Sequence, residues 1–189
     1  MKFTPLSIPD VILIEPQRFS DERGFFEETF NKIAYEKLGI QEEFVQDNRS
    51  LSRDAYVIRG LHFQTPPYAQ DKLVRVSRGS VLDVIVDIRR GSPTFSKHVS
   101  AIISAENGCQ IWIPKGFAHG FCTLEPNTEF VYKVTEYYAA DSDNGLFWAD
   151  PELGIDWPIP DGMKPIVSER DERQPKLVDM PEYFKFVPN

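Results

Sequence analysis

Period-two alternation of apolar and polar residues dominates the middle of this chain, and it restricts the fold to one built mainly of sheet. Lys72-Leu-Val-Arg-Val76 and Val81-Leu-Asp-Val-Ile-Val-Asp-Ile88 both read this way, and Ser77-Arg-Gly-Ser80 between them has turn composition. The pair is expected to form a hairpin with one apolar face. Further runs at 99–103, 110–113, 120–124 and 129–137 are bounded by Gly, Pro, Asn or Ser clusters. Short strands at this spacing predict a sandwich or barrel. The clear helix signal covers 31–38, with Asn31 as N-cap, Phe30, Ala34 and Leu38 four apart, and Gly39 as the stop. Residues 148–160 are rich in Pro, Trp and Asp, and are expected to run as loops and short helices around the barrel.

The 189 residues contain no internal repeat, low-complexity tract or Gly/Ser linker, so one domain spanning 1–189 is expected. Lys plus Arg number 21 against 29 Asp plus Glu, a net charge of -8. That balance opposes general attraction to nucleic acid or to an anionic membrane, although a local basic pocket can still take a small anion. The longest aliphatic run, 11–14, falls far short of the about 18 residues that cross a bilayer, and the N-terminus lacks the order of a signal peptide. A cytoplasmic location is therefore expected. The 2 cysteines, Cys109 and Cys122, form no C-x-x-C pair and are expected as buried small hydrophobes.

Two segments bring histidine into strand-rich sequence: Arg59-Gly-Leu-His-Phe-Gln64 and Pro114-Lys-Gly-Phe-Ala-His-Gly120. The second matches the Pro-x-Gly-x-x-His pattern of cupin barrels, whose metal-binding members carry His-x-His and a Glu in the first segment. Here that segment reads His62-Phe-Gln64, and glutamine is a weak ligand for a transition metal, so no metal is expected. The remaining histidine, His98, follows Lys97 in an expected solvated turn. Taken alone, His62 and His119 fit either a core imidazole satisfied by hydrogen bonds or a functional one. Gln46, Asn48, Arg59 and Lys72 add donors suited to a diphosphate, the alternative being scattered surface pairs. Strict alternation puts Arg59 and His62 on opposite faces of a strand. If both reach one pocket, a bulge or kink near Gly60 is required.

Together the motifs closely resemble the dTDP-4-dehydrorhamnose 3,5-epimerase family. The resemblance runs nearly end to end and is carried by Arg23-Gly-Phe-Phe-Glu-Glu-Thr-Phe30, Gln46-Asp-Asn-Arg-Ser50, Ile58-Arg-Gly-Leu-His-Phe-Gln64, Gln70-Asp-Lys-Leu-Val-Arg-Val76, Ile113-Pro-Lys-Gly-Phe-Ala-His-Gly-Phe121, Tyr132-Lys133 and Ser168-Glu-Arg-Asp171. It implies an all-β, cupin-like double-stranded β-helix (jelly-roll) barrel with a few short peripheral helices. It also implies a homodimer with exchanged N-terminal strands, and no cofactor.

Inverting two centres beside a ketone requires a base on one face and an acid on the other. His62 is the best candidate for the base, and the resemblance supplies Asp171 as its orienting carboxylate. A ketone α-hydrogen lies on the order of a dozen pKa units above an imidazole, so the enolate oxygen must be stabilised. Lys72 is the cation placed there, with Asp83, one strand on, expected to position it. The resemblance makes Tyr132 the acid, a residue that would otherwise read as a core aromatic. It assigns Arg23, Glu28, Gln46, Asn48, Arg59, His119 and Tyr138 to nucleotide binding, with Tyr138 and Phe26 as stacking rings and Phe26 from a partner subunit. Asp143 and Arg170 join this group where the family commonly has Glu and Lys, which keeps the charge signs and alters the reach.

The competing readings are an epimerase acting at one carbon, a 3,4-ketoisomerase on a related nucleotide 4-ketosugar, a non-catalytic sugar-binding cupin, and a metal-dependent cupin oxygenase. His62 together with Tyr132 favours proton transfer at two faces.

Overall fold

In the computed structural model, which describes residues 1–188, the chain runs through β1 (Lys2–Pro5), β2 (Ile12–Glu15), β3 (Arg18–Asp21), β4 (Gly24–Glu27), α1 (Lys32–Glu36), β5 (Gln46–Ser52), β6 (Ile58–Gln64) and β7 (Lys72–Arg78). It continues through β8 (Ser80–Asp87), β9 (His98–Ser104), β10 (Gln110–Ile113), β11 (Phe117–Thr123), β12 (Thr128–Val134), β13 (Asp143–Gly145) and α2 (Glu169–Glu172). One antiparallel sheet has the order β1-β2-β10-β7-β12-β5, and a second has β13-β6-β11-β8-β9. This is the jelly-roll arrangement, with the β3–β4 ribbon as a separate pair.

The sheets close on an apolar interior. Val74, Val76, Ile111, Ile113 and Phe130 from the first meet Val81, Ile85, Val99, Ile103, Phe117 and Phe121 from the second. The C-terminal chain covers the second sheet's outer face: Leu146, Leu153, Leu177 and Met180 pack on Leu61, Phe63, Val84, Val86 and Ala118. β8 is thus apolar on both faces, which explains its almost unbroken hydrophobic run. Around α1, Tyr35 and Ile40 cover Ile14, Leu73 and Trp112 of the first sheet.

Four expectations are corrected, the last of them in part. β7 and β8 are not a hairpin: β7 pairs with β10 and β12, β8 with β11 and β9, and the chain crosses between sheets at Gly79, whose φ is 78°. The helix is shorter than 31–38; Asn31 does cap it through Ala34 N–H, but Tyr35 is the buried residue and Leu38 is 42% exposed. His98 is not in a solvated turn. It opens β9, and its Nδ1 lies 3.0 Å from the Leu153 carbonyl oxygen, tying that strand to the C-terminal wrap. Cys122 is buried as expected, whereas Cys109 is only partly so, and both are free. No helix among the described residues is long and apolar enough to cross a membrane.

Candidate active site

A cavity of about 590 Å³ opens between the sheets. The second sheet contributes Arg59, His62 and Gln64 from β6 and His119 and Phe121 from β11; the first contributes Lys72 from β7 and Phe130 and Tyr132 from β12. Asp143, Ser168, Arg170 and Asp171 of the C-terminal chain complete the wall. Arg59 and His62 share it because the β6–β11 register breaks: His62 lies opposite His119 and Arg59 opposite Phe121, so Gly60 and Leu61 together face Gly120. This is the irregularity the sequence required near Gly60. Gly60 has φ 126°, and a Cβ there would fall 2.5 Å from Gly120 Cα, so glycine is demanded twice over.

His62 Nε2 lies 2.6 Å from Asp171 Oδ1, while Asp171 Oδ2 accepts the Gly60 N–H at 3.3 Å. Ser168 caps α2 by accepting the Asp171 N–H at 3.1 Å, which sets the carboxylate's direction. Burial pushes the Asp171 carboxyl up, but the His62 hydrogen bond and charge, with the Gly60 N–H, outweigh it and hold the group below the usual range. An ionised Asp171 only accepts, so His62 Nε2 carries the hydrogen and Nδ1 keeps its lone pair for an incoming proton.

Lys72 is buried, with Nζ donating to the His62 carbonyl oxygen at 3.2 Å. Burial lowers its pKa to about 8, against the opposing pull of Asp143 and Asp83. Asp83, expected to position Lys72, acts on it through charge, while its hydrogen-bond partner is His119: Oδ2 lies 2.9 Å from His119 Nε2. The β8–β11 register decides this by placing Asp83 opposite Phe121, two residues from His119. Asp83 Oδ1 is buried and has no hydrogen-bond partner among the described residues. His119 also lies along Phe130, ring centroids 5.8 Å apart and 28° between planes.

Tyr132 stands on the wall opposite His62, since β12 belongs to the first sheet and β6 to the second. Burial raises its phenol pKa, Asp143 adds to the rise and Arg59 opposes it, so at neutral pH the group keeps its proton. Phe121 and Phe130, stacked at 4.1 Å, make an apolar surface below.

At the mouth, Arg59 Nε donates to Ser52 Oγ and Nη2 to the Leu51 carbonyl oxygen, both at 3.2 Å. Arg170 and Asp143 form an ion pair of 2.8 Å, and Tyr138 is 60% exposed. Gln46 and Asn48, joined to each other at 2.8 Å, do not line the cavity, and Gln46 reaches it only through the Tyr138 N–H, which its Oε1 accepts. Arg23, Phe26 and Glu28 do not line this cavity: the first two sit on the β3–β4 ribbon, Arg23 against Asp21 and Phe26 69% exposed, while Glu28 accepts from Asn31 Nδ2. Two further residues escaped the sequence reading. Ser168 carries a visible signal, the spacing Ser-x-x-Asp of an N-cap. Gln64, read only as a poor metal ligand, had one in its inward position two residues beyond His62.

One wall therefore holds a carboxylate-oriented imidazole and the facing wall a protonated phenol, with a buried ammonium bonded to the imidazole residue's main chain. Such a set can remove a proton from one face of a carbon acid and return one to the other. Among the described residues no group of three or more His, Cys, Asp and Glu is placed to hold a metal ion.

Residues 5–179 match the family model described as dTDP-4-dehydrorhamnose 3,5-epimerase. A protein of that name from Sinorhizobium fredii is 50% identical over 187 residues, covering 99% of this chain and 95% of the relative. The crystal structure of the Bacillus anthracis enzyme with TDP and PPi bound is 51% identical, with a TM-score of 0.89 over 93% of this chain and 98% of that one. The Legionella pneumophila epimerase in complex with dTDP-4-keto-L-rhamnose is 43% identical, with a TM-score of 0.93 over 99% of each chain.

Proposed function

The chain belongs to the dTDP-4-dehydrorhamnose 3,5-epimerase family, and on that premise we propose that this cavity inverts C3 and C5 of dTDP-4-dehydro-6-deoxy-D-glucose to give dTDP-4-dehydro-L-rhamnose. The observation that carries the reading is the placement of His62 and Tyr132 on opposite sheets of one cavity. The C4 ketone acidifies the hydrogens at both neighbouring carbons. His62 Nδ1 takes the proton, the C–H pair moves into the enolate, and the Lys72 ammonium stabilises the charge on O4. Tyr132 then protonates the same carbon from the other face. His62 gains one proton and Tyr132 loses one, and exchange with water restores both before the second carbon reacts. The chain's own side chains carry every proton.

Tyr132→Phe tests the division of labour. It keeps the ring and its packing and removes the acid, so proton exchange at C3 and C5 should persist while inversion falls by about 10²-fold. Equal losses of exchange and inversion, followed by NMR, would contradict the roles.

For the nucleotide, the guanidinium groups of Arg59 and Arg170 suit the diphosphate, and the exposed Tyr138 ring suits the base. Arg23, Phe26 and Glu28 reach such a site if a second copy supplies them. The β3–β4 ribbon, with Phe19, Phe25 and Phe26 all more than half exposed, supports that arrangement. Light scattering should then give twice the 21.7 kDa chain mass, and a monomer retaining full activity would remove the dimer from the account.

A further inference from the structure

Gln64 makes three hydrogen bonds, all to main chain. Its Nε2 donates to the Tyr68 carbonyl oxygen at 2.7 Å and to the Tyr137 carbonyl oxygen at 3.1 Å, and its Oε1 accepts the Ala139 N–H at 2.8 Å. Two acceptors and one donor fix the amide's orientation without ambiguity. The side chain is 5% exposed, so these groups have little water as an alternative.

Two of the three partners bracket Tyr138. The N–H of Tyr138 itself donates to Gln46 Oε1 at 3.1 Å, from β5 in the opposite sheet. Residues 137–139 lie outside any strand or helix, yet amides from both walls grip the main chain of three consecutive residues. Gln70 adds a fourth bond, Nε2 to the Glu136 carbonyl oxygen at 2.8 Å, which ties the same stretch to the loop after β6. The Tyr138 ring meanwhile stands 60% exposed at the cavity mouth. With so little packing around it, the ring is aimed chiefly through its backbone, with the interaction between its hydroxyl and Asp143 as the side-chain restraint.

We infer that Gln64 is a positioning residue that aims the Tyr138 ring at the nucleotide's base, so that the amide beside the proton-transfer machinery governs substrate grip and not the chemical step. This inference rests on the proposal that Tyr138 stacks on the base. It also gives the glutamine of His62-Phe-Gln64 a purpose that needs no metal.

The test compares Gln64→Met, which removes all three bonds, and Gln64→Glu, which loses the two N–H donors, by calorimetry with dTDP and with inorganic pyrophosphate, alongside steady-state kinetics. Stacking on an aromatic ring is strong enough that misaiming it should raise the dTDP Kd and the substrate KM about tenfold. kcat should stay within about twofold and pyrophosphate affinity should not change. Adding Tyr138→Ala to either variant should weaken dTDP no further, because both changes remove one interaction. If Gln64→Met fails to fold, Gln64→Glu carries the same comparison. A parallel fall in kcat and pyrophosphate affinity, or additive losses with Tyr138→Ala, would overturn the inference and leave Gln64 a structural residue. Normal dTDP binding by both Gln64 variants while Tyr138→Ala binds weakly would overturn it alone. Normal binding by Tyr138→Ala itself would remove the stacking proposal and the inference together.

Discussion

His62→Ala is expected to lower kcat by about 10³-fold or more and to stop proton loss at both C3 and C5. The size follows from the geometry. Asp171, at 2.6 Å and held ionised, fixes the tautomer that leaves Nδ1 as acceptor, and of the two carboxylate-paired imidazoles on that wall His62 is the more exposed. His119 cannot take over, although its Nε2 is likewise paired with Asp83, because the residue is only 7% exposed and its ring is packed along Phe130. The dTDP affinity should be nearly unchanged, since the nucleotide groups lie at the mouth. Calorimetry with dTDP and solvent exchange measured on the same variant separate the two effects. Exchange that persists at either carbon would mean that another base serves it.

Lys72→Met should cost about 10²- to 10³-fold in kcat, the usual effect of removing a donor aimed at a developing oxyanion. Methionine nearly matches the volume and replaces a buried charge with an apolar group, so the loss should not come through unfolding. The wild-type enzyme should also show the lysine in its pH profile. Lys72 stabilises the enolate only as ammonium, which is the form below its pKa of about 8, so activity should fall as pH rises through that value. In Lys72→Met this alkaline limb should be missing from an already reduced rate. A wild-type profile that is flat or rising across about pH 8 would show that the ammonium is not the stabilising group.

The sequence made some of this visible, for identifiable reasons. His62, Lys72, Tyr132 and Asp171 sit in short motifs whose chemistry is distinctive, and the structure brings all four into one cavity. The break near Gly60 was foreseeable because alternation alone separates Arg59 from His62. The β7–β8 connection was not legible. A tight turn between two alternating runs looks the same whether it folds one sheet back on itself or crosses to the facing sheet, and only the partners β10, β12, β11 and β9 decide. The partner of Asp83 was hidden likewise, since it depends on register across β8 and β11 and not on spacing along the chain. The short helix erred through packing. Spacing favoured Phe30, Ala34 and Leu38; Phe30 and Ala34 do pack there, but Leu38 is exposed and the fully buried residue is Tyr35, whose ring lies against Phe3 and Phe30. Gln64 was misjudged because a glutamine was weighed as a ligand for a metal and not as a clamp on main chain.

The central claim is that one cavity moves protons at two carbons from two faces. Proton NMR of dTDP-4-dehydro-6-deoxy-D-glucose incubated with the protein and a chelator in D2O tests it most directly, by following the C3 and C5 signals. The account predicts deuterium at both carbons and inversion at both. Exchange confined to one carbon, or bound substrate with no exchange, would contradict it.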